Sequence, residues 1–516
     1  MACTKESVDE IMGEHVTLSA GAVVVDSRGA QTLARRVQPL RRWTEQVHVA
    51  QLVLAGLLGV GLGIAVLASG PQVERWKPAL MAAMLGCVVM LIVQDVRKPL
   101  MAVILLDLPL QLDTWLGRRP LSEPLGWLNG YNISLTTIAL VGLYGLWLID
   151  WLSRAEALPR LRLRESWPLV AYVGCAVLSM VVARDAELSL YEIFMLVQLL
   201  LMYLYVVSTV RTRQDLLFVA VLLLVGLALE GAYMVLQRFT GLNMRLTGIA
   251  NMVTEARSGQ TQIERLGGTI GSPNTAAAYL SLLLAPALSL FVARSGRRHA
   301  LLAAVAFVFG ILGLIITFSR GGWTAFGVST SLLCLLSWRR GWLPLKIPFI
   351  AACGIITAFL LFTNTISSRL FAGDAGAAYS RIPLMQLAMR MIRDHPFLGV
   401  GTNNFGLALK SYLTPEFAGI FVYVVHNKYL LVFAETGIGG LLFFLSFLFV
   451  TIWRGWQCWR SGDRLLASLG LGLTAGIIGQ MAHMLVDIFN TRPQVESLWL
   501  VAALITALWQ IAGQER

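Results

Sequence analysis

Basic side chains, not acidic ones, are the groups in this chain best placed to do chemistry. His426 opens the run HNKYLLVFAETGIGG, a polar His426-Asn427 pair at the start of a long apolar stretch. An imidazole exchanges a proton near neutral pH, which suits it to general-base work on a hydroxyl group. The plainer alternative is a histidine at a helix start that makes only local hydrogen bonds. Arg381 opens RIPLMQLAMRMIRDHP, Arg265 lies in ERLGGTIGSPN, and Arg320 lies in TFSRGGW. A guanidinium fork matches phosphate oxygens in pairs. The glycines after Arg265 let backbone approach a ligand, and the helix start at Pro273-Asn274 offers N–H groups to an anion. For Arg381 and Arg320 the alternative is an arginine at the membrane surface, touching headgroups or snorkelling from a helix end. His483, with Asp487 one turn later, is placed to form a buried supporting pair.

Motifs for other chemistries are missing from the sequence. It has no P-loop, no HExxH, no GxSxG, and no DxD-like acidic pair in a loop suited to a divalent metal. Arginine dominates the polar residues near His426. This favours direct cationic binding of phosphate, with no metal and no cofactor. Six cysteines (Cys3, Cys87, Cys175, Cys334, Cys353 and Cys458) include no CxxC pair, so neither a disulfide framework nor a zinc site is expected.

The chain that positions these groups is 516 residues long, 57% hydrophobic and only 14% charged, with mean hydropathy +0.69. Soluble domains carry nearer a quarter charged residues, and apolar runs of about 18 residues or more mark membrane helices. The formal charge of +12 would suggest nucleic acid in a soluble protein. In a membrane protein it reflects arginines gathered in cytoplasmic loops, and no nucleic-acid partner is expected.

Apolar runs near 48–69, 78–96, 99–113, 133–152, 168–183, 188–210, 215–237, 274–293, 299–318, 321–338, 344–363, 427–453, 465–488 and 493–512 predict an all-α, polytopic bundle of about 12–14 spans. The run near 99–113 is short, carries Asp107 and Asp113, and is a candidate re-entrant segment. Arg35, Arg36, Arg41 and Arg42 precede the first span, and alternate connections hold Arg97 and Lys98, then Arg154 and Arg160 to Arg164, Arg211 and Arg213, Arg294 to Arg298, Arg339, Arg340 and Lys346, and Arg454 to Arg464. By the positive-inside bias these face the cytoplasm, as do both termini. Arg75, Lys77, Arg118, Arg119 and Arg184 run against the bias. The opposite side receives two long connections, 238–273 and 364–426, the second patterned as a helix from Arg381 with Ile382, Met385, Ala388, Met389 and Ile392 on its apolar face. Residues 1–47 form a polar tail, 48–237 a first set of spans, and 238–516 a catalytic region holding both loops.

Taken together, HNKYLLVFAETGIGG, HPFLGVG about thirty residues before it, the SRG turn and RLGGTIGSPN resemble the O-antigen ligase and polymerase superfamily of bacterial membrane glycosyltransferases. The resemblance covers roughly residues 240–500. It implies a metal-independent, GT-C-like inverting enzyme of the bacterial inner membrane with its active site on the periplasmic face. The implied donor is a glycan on undecaprenyl diphosphate. The implied acceptor is a sugar hydroxyl of lipid A-core in a ligase, or another lipid-linked glycan in a polymerase. On this resemblance His426 is the base, Arg265 and Arg381 bind the diphosphate, and Arg320 assists them. Asn274, Asn427, His483 and Asp487 support the site. A count of about fourteen spans exceeds the roughly twelve of many such ligases. A transporter or flippase of lipid-linked sugar is the alternative from another class, with Glu230 and Asp107 as its candidate mid-membrane groups.

Overall fold

The computed structural model describes residues 96–119, 128–152, 161–241, 254–258, 261–293, 296–344, 346, 381–414 and 424–514. The expected spans near 48–69 and 344–363, nearly all of 78–96, and the polar tail 1–47 lie outside the described residues. What is described is an all-α, polytopic membrane bundle. Its helices are α1 (Arg97–Leu110), α2 (Leu135–Leu152), α3 (Leu163–Ser179), α4 (Ala186–Thr209), α5 (Arg213–Thr240), α6 (Pro273–Ala293), α7 (Arg297–Ile316), α8 (Arg320–Arg339), α9 (Arg381–Asp394), α10 (Phe405–Leu409), α11 (Lys428–Trp459), α12 (Arg464–His483) and α13 (Arg492–Gln514). Two short antiparallel hairpins join them: β1 (Asp113–Leu116) with β2 (Tyr131–Ser134), and β3 (Thr254–Ser258) with β4 (Thr261–Arg265).

Nine of the described helices are long and apolar enough to cross a membrane. The α13 helix lies at the centre, its apolar window 94% buried, flanked by α6 and α12 at 83%, whereas only 28% of the α7 window is buried. The outward residues of α7 (Leu301, Val305, Val308, Leu312 and Ile315) recur every three or four positions, a lipid-facing stripe rather than a core one. Helix starts are set locally. Asp185 caps α4, Thr212 and Asp215 form a capping box on α5, Asn427 caps α11, and Asp463 caps α12.

Contacts sort the loops to two ends. At one end Arg97 pairs with Asp150, Arg213 with Asp463, and Arg340 donates to the Ser461 carbonyl. At the other lie the turn after α1, the β4–α6 loop, the α7–α8 turn and the segment before α11. Arg119, a cation on the second end, is matched there by Asp185 and Glu187, and Arg184 donates to the Leu407 carbonyl. Those pairings account for two exceptions to the charge bias.

The 99–113 segment forms α1, which starts at the first end and reaches the second, where Gln111 donates to the Ile270 carbonyl. Its 14 residues rise only about 21 Å, short of the roughly 30 Å hydrocarbon thickness. Asp107 and Asp113 are both buried, and Arg492 meets both, at 2.9 and 2.7 Å. The α9 helix differs from the wheel expected of it. It buries Leu384, Leu387, Ala388, Met391 and Ile392, while Ile382 and Met389 face outward. The helix packs by the face turned to α11 and the α10 segment, and leaves a second apolar edge at the bundle surface.

HPFLGVG and AETGIGG owe their pairing to a break in α11. Gly437 adopts φ 70° and ψ −172°, a conformation open essentially to glycine alone. The preceding loop docks on the opened turn: Val400 N–H donates to the Ala434 carbonyl, Gly401 N–H to Glu435, and Ile438 N–H to the Pro396 carbonyl. The Glu435 carboxylate accepts from Phe405 N–H at 3.1 Å. A Cβ on Gly437 would stand 2.0 Å from the Phe397 carbonyl oxygen. Gly437→Ala should thus cost roughly 1–3 kcal/mol in backbone strain alone. It is expected to lower the thermal midpoint of the detergent-solubilised protein by several degrees; an unchanged midpoint would show that the break is not needed.

Candidate functional site

Arg265, at the end of β4, is half-buried and fixed by its own hydrogen bonds. Its Nε donates to the Thr317 carbonyl at 3.0 Å, and Nη2 donates to Asn274 Oδ1 at 2.6 Å. Asn274, the second residue of α6, also accepts from the Ser319 hydroxyl at 3.1 Å. One amide oxygen thereby joins the arginine loop to the SRG turn. Ser319 caps α8 by accepting from Gly322 N–H, and Arg320 is the first residue of that helix. The middle of TFSRGGW is small because a histidine lies against it: a Cβ on Gly321 would stand 2.5 Å from His483 Cδ2.

His483 ends α12, buried, with its ring edge-on to Phe489 at 6.4 Å. Asp487, in the turn after α12, accepts from Phe489 N–H at 2.8 Å and from Gln494 Nε2 at 3.0 Å. The His426–Lys428 segment lies on this turn. Asn427 Nδ2 donates to the Leu485 carbonyl at 3.2 Å, Lys428 N–H to the Met484 carbonyl at 2.9 Å, and Lys428 Nζ to Asn490 Oδ1. With its side chain, Asn427 caps α11 by accepting from Tyr429 and Leu430 N–H, both at 3.1 Å. His426, one residue before the cap, is half-buried. Arg381, at the first turn of α9, lies within electrostatic reach of it, as does Asp487.

The expected site residues lie at a single end of the bundle. Hydrogen bonds and packing run from Arg265 through Asn274 and Ser319 to Gly321 and His483, while Asp487 lies within electrostatic reach of His483 and, with Arg381, of His426. No cluster of His, Cys, Asp or Glu suited to a metal ion is found among the described residues.

Burial and the Arg381 guanidinium hold the His426 imidazole below the ordinary histidine value, with Asp487 and the Val424 carbonyl acting in the opposite sense. The ring is thus neutral at neutral pH, the form in which a base works.

Some of the architecture was not anticipated. Glu230 of α5 is a clamp on the arginine loop: it accepts from Thr269 N–H at 3.0 Å and from the Thr269 hydroxyl, and that hydroxyl also donates to the Pro109 carbonyl. Lys428 is buried with Glu192 and Glu435 nearby. A charged residue within an apolar run was visible in the sequence for each of these, and such a residue inside a membrane marks a paired group.

Helices of this length and burial define a polytopic membrane protein. Residues 305–445 match the family model described as O-antigen ligase, which supports a place in the O-antigen ligase superfamily. These are membrane glycosyltransferase-like enzymes that work on lipid-linked glycans and their acceptors. The matched segment holds Arg320, Arg381, His426 and Asn427 and stops short of His483 and Asp487. No curated protein matches the chain.

The His426 environment gives opposed expectations for two variants. Acylation of His426 by diethyl pyrocarbonate, followed against pH by peptide mass spectrometry, should show a midpoint below about 6.5, the ordinary histidine value. Arg381→Gln should move that midpoint up and Asp487→Asn should move it down. A wild-type midpoint above 6.5 would contradict the placement of Arg381 beside the ring.

Proposed function

We propose that the protein is an inverting glycosyltransferase that moves a glycan from undecaprenyl diphosphate to a sugar hydroxyl of lipid A-core, an O-antigen ligase. The observation that carries this reading is a half-buried imidazole within electrostatic reach of the Arg381 guanidinium and the Asp487 carboxylate, at the same end of the bundle as the arginine loop fixed by Asn274. The diphosphate is already a good leaving group. The enzyme's tasks are to place two reactants and to offset charge that grows on the departing oxygen.

Arg265 and Arg381 hold the diphosphate, with Arg320 beside them at the start of α8. The acceptor oxygen attacks the anomeric carbon from the face opposite the diphosphate. As that C–O bond forms, the bond to the diphosphate breaks and the acceptor proton passes to His426. Asp487 balances the imidazolium that results, as the orienting carboxylate of a catalytic triad does. Asn427 fixes the backbone that carries His426, and His483 fills the space between the SRG turn and Asp487. No metal or cofactor enters this scheme.

Under this proposal the end holding His426 faces the periplasm, and the arginine-rich end faces the cytoplasm of a cell with an inner membrane. Residues 238–516 form the catalytic region.

In a membrane-reconstituted transfer assay, His426→Ala should abolish product while the protein stays inserted; transfer at the wild-type rate would remove the base assignment. Arg265→Lys keeps the charge but loses the fork, and is expected to retain under about a tenth of the activity. Deletion of the gene separates ligase from polymerase on a lipopolysaccharide gel. A ligase mutant keeps long lipid-linked chains unattached to lipid A-core, whereas a polymerase mutant shows one repeat unit.

A further inference from the structure

The end of the bundle remote from His426 holds a groove that the transfer reaction does not use. It is lined by Trp453, Trp456, Gln457 and Arg460 of the α11 end, by the Ser461–Asp463 turn, and by Ala512 of α13, and encloses about 520 Å³. We propose that this groove binds the phosphate headgroup of an anionic membrane lipid, a second lipid site distinct from the catalytic one.

Depth is the first argument. The part of α11 beyond the Gly437 break, 438–459, rises about 33 Å at 1.5 Å per residue, against a hydrocarbon layer of about 30 Å. Its last turn, next to the Arg213–Asp463 ion pair, therefore lies at the headgroup layer. Trp453 is 62% exposed and Trp456 38%, as befits amphipathic rings at that level.

Charge is the second. The only acid lining the groove, Asp463, is matched by Arg213 at 3.0 Å and also accepts from Leu466 N–H at 2.8 Å as the cap of α12. The carbonyls of Trp459 and Ser461, which would repel an anion at a helix C-terminus, are taken by Arg340. The Arg340 guanidinium also lies 5.1 Å from the Trp459 ring. Arg454 is engaged with Thr506, the Glu165 carbonyl and the Trp509 ring. Arg460 is exposed and makes no ion pair with any described residue. Among the described residues lining the groove, the one acid is thus matched and the Arg460 guanidinium faces the groove.

Size is the third. A volume of 520 Å³ falls in the range of small-molecule sites, roughly 300–1,000 Å³. It suits a phosphodiester headgroup with its glycerol better than a lone phosphate. Anionic lipid at this end also agrees with the arginine excess that faces it.

The test uses the full-length protein, extracted into detergent and exchanged into phosphatidylcholine nanodiscs with or without phosphatidylglycerol. Retained lipid is read by native mass spectrometry, and inorganic phosphate is titrated separately against tryptophan fluorescence. The wild type and His426→Ala should both retain phosphatidylglycerol over phosphatidylcholine. Arg460→Gln should lose that preference by roughly fivefold, the factor one arginine is worth against an anionic surface. Arg460→Lys should keep part of it, which separates charge from misfolding. Equal retention by wild type and Arg460→Gln would overturn the site. Saturation by inorganic phosphate alone would overturn its assignment to a lipid. Because His426→Ala is expected to bind normally, this outcome is independent of the glycosyltransferase reading.

Discussion

An ammonium group carried into the interior of a membrane protein must find its partners there, and Lys428 sets the terms for the site. It is buried, donates to Asn490, and lies beside Glu192 of α4 and Glu435 of α11. Replacing such a charge's partners singly leaves the remainder unpaired, at a cost of several kcal/mol. The arrangement is therefore held as a unit. Two residues earlier stands His426, and the backbone between them is bonded to the turn that carries Asp487. The bonds that seat the lysine thus also fix the segment that leads into His426.

Other charged groups at the same end repeat this logic. Arg492 gathers Asp107, Asp113 and Glu496 into a buried knot that ties α1, the first hairpin and α13 together. Glu230 clamps the loop that carries Arg265. Thr402, Asn403 and Asn404 are bonded to Ser179, Leu188, Asp185 and Ser189. Helices outside the segment that matches the O-antigen ligase family thereby supply much of the framework for residues inside it. Glu230 and Asp107, the groups a transporter would need in mid-membrane, are occupied in holding structure.

The nine described spans were legible in the sequence because a 3.6-residue helix in lipid leaves an unbroken apolar run. Arg265, Arg381 and His426 were visible as candidates for a related reason: polar residues near membrane depth stand out against that background. The break at Gly437 was not legible, because a glycine in AETGIGG resembles any small residue of a packed helix until the docking loop is seen. Nor was the buried face of α9, since its apolar residues cover more than one stripe and only the neighbouring loop selects among them. The partners of Lys428 and Arg492 lie far apart in the chain, so the sequence marked those charges without showing what they meet.

In the proposed reaction one lipid diphosphate sits between Arg265 and Arg381 with His426 across the anomeric carbon from it. A structure of the full-length protein in nanodiscs, bound to a non-hydrolysable lipid-linked diphosphosugar, tests this most directly. The account predicts both guanidinium groups within about 3 Å of phosphate oxygens and the imidazole on the sugar's opposite face. A diphosphate held at the Trp453–Asp463 end, or one touching neither arginine, would contradict it.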